Sequence, residues 1–132
     1  MIQSRETAEA TSFAEAMETL DLKTPQQGEL LKGTLDMLIL RTLTLQPMHG
    51  YAIAQHIERL SQDVLTVEQG SLYPGLARLQ AKGWVTSQWR QTPTGRRARY
   101  YTITASGRRR LGVQVSSFDQ VLLAIKRVMR RA

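Results

Sequence analysis

With 132 residues, 42% of them apolar, the chain has the length of one domain and enough hydrophobic mass for one core. It contains no cysteine, which excludes disulfides, thiolate metal sites and thiol nucleophiles, and no apolar run approaches the roughly 18 residues that span a bilayer. The net charge of +7 is unevenly divided: Met1–Glu68 carries ten acidic side chains against five basic, whereas Gln69–Ala132 carries Asp119 alone against thirteen basic.

An acidic half joined to a basic half makes an oriented field, and the partner such a basic face suits best is a polyanion. The N-terminus is acidic and lacks an apolar h-region, so it does not read as a secretory signal. A soluble, cytoplasmic protein without a membrane partner is expected. Residues 1–28 read as an N-terminal arm. Phe13, Met17 and Leu20 are spaced by four and three, which predicts a short amphipathic helix, and "TPQQG" from Thr24 to Gly28 breaks it.

Residues 29–105 carry the pattern of a small DNA-binding domain. "LLKGTLDMLILRTL" places Leu31, Leu35, Leu38, Ile39 and Thr42 on one broad face of a buried helix. "LQPMHG" is a turn in which Pro47 sets one dihedral and Gly50 is expected to supply an unusual one. "YAIAQHIERLS" follows, with Ile53, Ile57 and Leu60 at helical spacing, and then "VLTV" at Val64–Val67, a short stretch with strand character. In "GSLYPGLARLQAKG", Ser71 is the expected N-cap and Pro74 falls in the first turn. Leu72, Leu76 and Leu79 form the apolar stripe, and Gly83 stops the helix.

"WVTSQWR" and "RYYTIT" are β-rich runs joined through "TPTG", and together they predict a hairpin. Strand alternation puts Tyr101 and Ile103 on the inward face and leaves Arg96 and Arg97 at the tip. One of Trp84 and Trp89 is expected in the core, the other on a groove or a dimer contact. Residues 106–132 form the last segment, where Leu111, Val115, Phe118, Leu122, Ile125 and Met129 follow a 4, 3, 4, 3, 4 spacing. Such a heptad seam calls for a second helix, and another copy of the chain is the favoured partner.

The predicted class is therefore mostly α with a small β-hairpin: a winged helix-turn-helix followed by a C-terminal dimerisation helix. A major groove about 12 Å wide admits one helix, and a helix N-terminus offers N–H groups to phosphate. The candidate DNA contacts are Gln69, Ser71, Tyr73, Arg78 and Lys82 on or beside that helix, with Arg96, Arg97 and Arg99 on the wing.

Catalysis is not expected, because no nucleophile elbow, P-loop or triad is visible. His49 and His56 are seven apart, which does not suit a helical zinc pair, so no metal or cofactor is expected; His49 reads as a cap or packing residue of the turn. Two tyrosines on a two-stranded hairpin are too little sheet for a single-strand reader.

"HGY" at His49–Tyr51, "GSLYPGLARLQAKGWV" at Gly70–Val85 and "GRRARYYTIT" at Gly95–Thr104 together resemble the PadR family of transcriptional regulators. The resemblance runs from about Leu30 to about Met129 and looks closest to the shorter subfamily with one C-terminal helix. It implies a homodimeric winged-helix repressor of double-stranded DNA operators, in many members responsive to a small aromatic or drug-like effector. The alternative class is a winged helix whose basic face docks an acidic protein.

Overall fold

The computed structural model describes residues 28–131, with side chains from Gly33 to Arg130. The arm at residues 1–27 and its expected helix lie outside the described residues. The chain forms α1 (Gly28–Leu43), β1 (Met48–His49), α2 (Gly50–Leu60), α3 (Gln69–Ala81), β2 (Val85–Gln91), β3 (Arg97–Ile103) and α4 (Ala105–Arg131). The three strands make one antiparallel sheet in the order β1-β3-β2. The order of helices and the wing is that of a winged helix.

The core is a single cluster built from every element. Leu35, Ile39, Leu40 and Leu43 of α1 pack with Ile53 and Ile57 of α2 and with Leu72, Leu76 and Leu79 of α3. Val85, Tyr101 and Ile103 cover it from the sheet, and Met48 and Leu111 close it. Burial of Leu40 and Leu43 widens the face of α1 beyond the expected arc, so that helix is enclosed on most of its circumference. Leu60, expected on the α2 stripe, is instead 67% exposed, at the end of α2 and beyond the buried Ile57.

Three turns differ from expectation for identifiable reasons. Val64–Val67 is not a strand. The amide of Leu65 donates to Ser61 Oγ at 3.1 Å and that of Val67 to Glu58 Oε1 at 2.9 Å, so side chains take the groups a strand would need. The third strand is Met48–His49, paired with Tyr101 and Tyr100 of β3. Gly50 has an ordinary φ; the positive values fall at Gly83 (75°) and Gly95 (88°), which end α3 and shape the wing turn, and at Gln62 and Asp63.

The start of α4 packs on the helices and wing. The compact unit spans Lys32–Val115 and so takes in the first turns of α4. Thr104 starts that helix: its hydroxyl donates to Gly83 O at 2.7 Å and accepts from Gly107 N–H at 3.0 Å. Gly107 is buried flush against the Trp84 carbonyl, where no side chain fits. Leu111, one turn on, is 8% exposed and belongs to the domain core rather than to the seam.

Candidate nucleic-acid interface

The apolar stripe of α3 faces the core, so its N-terminus and its outer side are what solvent meets. Helix α3 begins three residues earlier than expected, with Glu68 as N-cap and no side-chain cap hydrogen bond. Ser71 is therefore the third helical residue, not the cap, and it is only partly exposed. Pro74 lies beyond the first turn, inside the helix, where it has no N–H to give the Gly70 carbonyl. Tyr73 is 46% exposed, and its ring lies directly over Gly50: a Cβ on that glycine would stand 2.9 Å from Tyr73 Cε1. The "HGY" triplet thus acts as a seat. His49 Nδ1 accepts from Ala52 N–H at 3.2 Å and caps α2, as expected for that histidine. Gly50 leaves the space that Tyr73 fills.

Arg78 does not reach outward. Its guanidinium donates to Asp36 Oδ1 at 3.0 Å, an ion pair from α3 to α1 whose carboxylate side chain is only 13% exposed. The pair lies beside Gly75, where a Cβ would stand in ordinary contact, 3.4 Å from Arg78 Nη2 and 3.5 Å from Asp36 Oδ1. The largely buried carboxylate draws the partly exposed Arg78 back towards α1, so the pair fixes the attitude of α3 against α1. Gln69 and Lys82 are both exposed, but at opposite ends of α3, about 20 Å apart along its axis.

The wing supplies the other wall. Strands β2 and β3 pair from Val85↔Ile103 to Gln91↔Arg97, and Gly95 closes the five-residue turn with its N–H on Thr92 O at 2.9 Å. Alternation places Val85, Ser87 and Trp89 of β2 on the same sheet face as Arg97, Arg99, Tyr101 and Ile103 of β3. Near the domain this face covers the core; towards the tip it carries Trp89, Arg97 and Arg99 out over the helices. Arg96 sits in the turn itself and is exposed. On the opposite face Arg90 lies 5.6 Å from the Tyr100 ring centroid.

Between the two walls lies an open groove of about 900 Å³. One side is His49–Ala52, Gln55 and Tyr73; the other is Trp89, Thr92–Thr94 and Arg96–Arg99. Of the expected contacts, the groove brings together Tyr73, Arg96, Arg97 and Arg99. It does not include Gln69, Ser71, Arg78 or Lys82. It adds Tyr51, 62% exposed with its hydroxyl accepting from Gln55 Nε2 at 2.9 Å, and Trp89, 58% exposed. Tyr51 had a legible signal, since it falls off the Ile53/Ile57 stripe at the start of α2.

Tyr101, below the arginines, has a phenol held above its usual value of 10.0, first because burial disfavours the anion. Arg99 opposes that shift and Tyr73 adds to it. Trp84 is the core-packing tryptophan, with Arg110 4.9 Å over its ring. Among the described residues no cluster of His, Cys, Asp or Glu is arranged to hold a metal ion, and no helix is long and apolar enough to cross a membrane.

Residues 39–113, which hold α2, α3 and the wing, match the model of the transcriptional regulator PadR-like family. The chain belongs to that family. This PadR-like chain is thus a DNA-binding transcriptional regulator. Its fold is shared with a Clostridium thermocellum transcriptional regulator (TM-score 0.69, 23% identity, covering 75% of this chain and 96% of that one). It is also similar to a PadR family regulator of Eggerthella lenta (TM-score 0.65, 27% identity, 86% and 96% covered). A Lysinibacillus sphaericus protein described as uncharacterized is 26% identical over 95 residues, 72% of this chain and 87% of its own length.

Proposed function

We propose that this PadR-like regulator is a homodimeric repressor, each protomer setting α3 in a major groove and its wing on the adjoining minor groove and phosphates. The observation that carries the reading is the groove between Tyr73 and the wing, walled by Arg96, Arg97 and Arg99 without an acidic residue. Cationic guanidiniums beside an aromatic seat at a helix N-terminus suit a phosphate backbone with a groove edge next to it. Gln69 and Lys82, exposed at the two ends of α3, suit flanking phosphates; Ser71 sits where it adds a hydroxyl near the helix start. Arg78 supports the interface from behind through Asp36.

Dimerisation is assigned to residues 116–131 of α4 with Val115. Along the expected seam Val115 is 38% exposed, Phe118 37%, Ile125 43% and Met129 51%, with Leu122 half-buried. A run of large apolar side chains at heptad spacing on one helix favours a second helix of the same kind. Two-fold pairing would put two recognition helices on half-sites about 34–36 Å apart where these lie on one face of the duplex, one turn apart. Repression, and release by a small aromatic or drug-like effector, rest on the family resemblance.

The test is fluorescence anisotropy on the duplex upstream of the protein's own gene, with a scrambled duplex beside it, at two salt concentrations. The native duplex should bind more tightly, and log affinity should fall by about 0.9 per decade of salt for each phosphate contact. Arg96→Ala with Arg97→Ala should weaken binding to both duplexes and flatten that slope. Equal or absent binding to both duplexes would refute a sequence-specific regulator of that promoter. An unchanged slope in the arginine variant would remove the wing from the interface.

A further inference from the structure

We infer that Trp89 is a positioning residue for DNA binding, its indole holding Arg97 and Arg99 ready for phosphate. The inference rests on the groove reading above. Trp89 is directly opposite Arg99 in the β2–β3 register and diagonal to Arg97 on the same sheet face. The guanidinium carbons lie 5.7 Å (Arg97) and 5.8 Å (Arg99) from the indole centroid, within the range of cation–π attraction. Neither arginine pairs with a carboxylate among the described residues, and the two like charges, two residues apart, share one ring.

A second tether reaches Arg99 from the recognition helix. Arg99 Nε donates to Ser87 Oγ at 2.8 Å, and Ser87 Oγ donates in turn to Gln80 Oε1 at 3.0 Å. Gln80 lies in α3, so the relay ties the wing arginine to the helix that enters the major groove. An arginine free in solvent loses rotamer freedom when it meets phosphate; one already held by a ring and a hydroxyl loses less. The 58% exposure of Trp89 has the same explanation: the ring is not core, and its face serves the arginines.

The experiment is a double-mutant cycle read by anisotropy on the native duplex at two salt concentrations. Trp89→Leu removes the π face and keeps an apolar side chain; it should lower affinity about tenfold while leaving the salt slope unchanged, because the same arginines meet the same phosphates. Trp89→Phe should recover most of the loss. Arg97→Ala with Arg99→Ala should lower affinity and flatten the slope by about 1.8, and Trp89→Leu added to that pair should cost little more.

Thermal melts of the single variants, matched to wild type, establish that each is folded. Wild-type affinity in Trp89→Leu, or the same tenfold loss with and without the arginines, would overturn the positioning role. If the arginine pair itself changes nothing, the groove reading fails first, and that outcome is distinct from a failure of Trp89 alone.

Discussion

Gly50→Ala isolates the seat of Tyr73. The added Cβ would lie 2.9 Å from Tyr73 Cε1, 3.0 Å from its hydroxyl and 3.1 Å from Cζ. Carbon atoms in ordinary contact stand about 3.5–4.0 Å apart, so the ring must retreat by roughly 0.6–1 Å. Nothing else in the substitution is costly. Gly50 has an ordinary φ and begins α2, where alanine is favoured by up to about 1 kcal/mol. Overpacking costs about 1–3 kcal/mol in a closed core, and less here because the 46% exposed Tyr73 is free to yield outward. Stability should therefore change little, by about 1 kcal/mol and within about 5 °C in Tm.

The ring that yields is a wall of the groove, so DNA affinity should fall about tenfold, equivalent to ~1.4 kcal/mol. Thermal denaturation and anisotropy on the native duplex measure the two quantities separately. Tyr73→Ala in the Gly50→Ala background should cost little more, since the contact has already been lost. Wild-type affinity in Gly50→Ala would refute the reasoning. So would a large loss of stability, which would mean that Tyr73 is braced too firmly to move.

Leu122→Glu should give monomers by analytical ultracentrifugation with the domain still folded, whereas Leu111→Ala should cost about 2–5 kcal/mol in stability because that side chain fills the core. A dimer that survives Leu122→Glu places the interface elsewhere. Arg78→Ala should destabilise by about 1–3 kcal/mol in denaturant melts, since it leaves the largely buried Asp36 without that partner; a change in DNA salt slope without a stability loss would contradict its internal role. Tyr101 should make the fold alkali-sensitive. The unfolded phenol ionises near 10.0 and the folded one above it, so stability is intact below that pH and declines above it, by at most about 1.4 kcal/mol per pH unit. Tyr101→Phe should flatten that decline in pH-dependent melts.

The sequence by itself determined the order of the helices and the wing hairpin, the apolar stripe of α3 and the inward strand positions Tyr101 and Ile103, because helical and strand periodicities are local and burial follows them. It also determined the uneven charge and the arginines of the wing, which need no contact map. Only the tertiary structure decided what each side chain is spent on. Arg78 lies off the stripe of α3 and reads as a free cation, but Asp36, 42 positions earlier, folds against it. Leu111 keeps heptad spacing, yet the first turns of α4 pack on the domain. Val64–Val67 has strand residues but no partner edge, while two-residue Met48–His49 has one. Gly50 is small for the sake of Tyr73, a residue that sequence distance hides. Periodicity reports which face is apolar; which atoms fill or neutralise that face depends on distant residues that only the folded chain brings together.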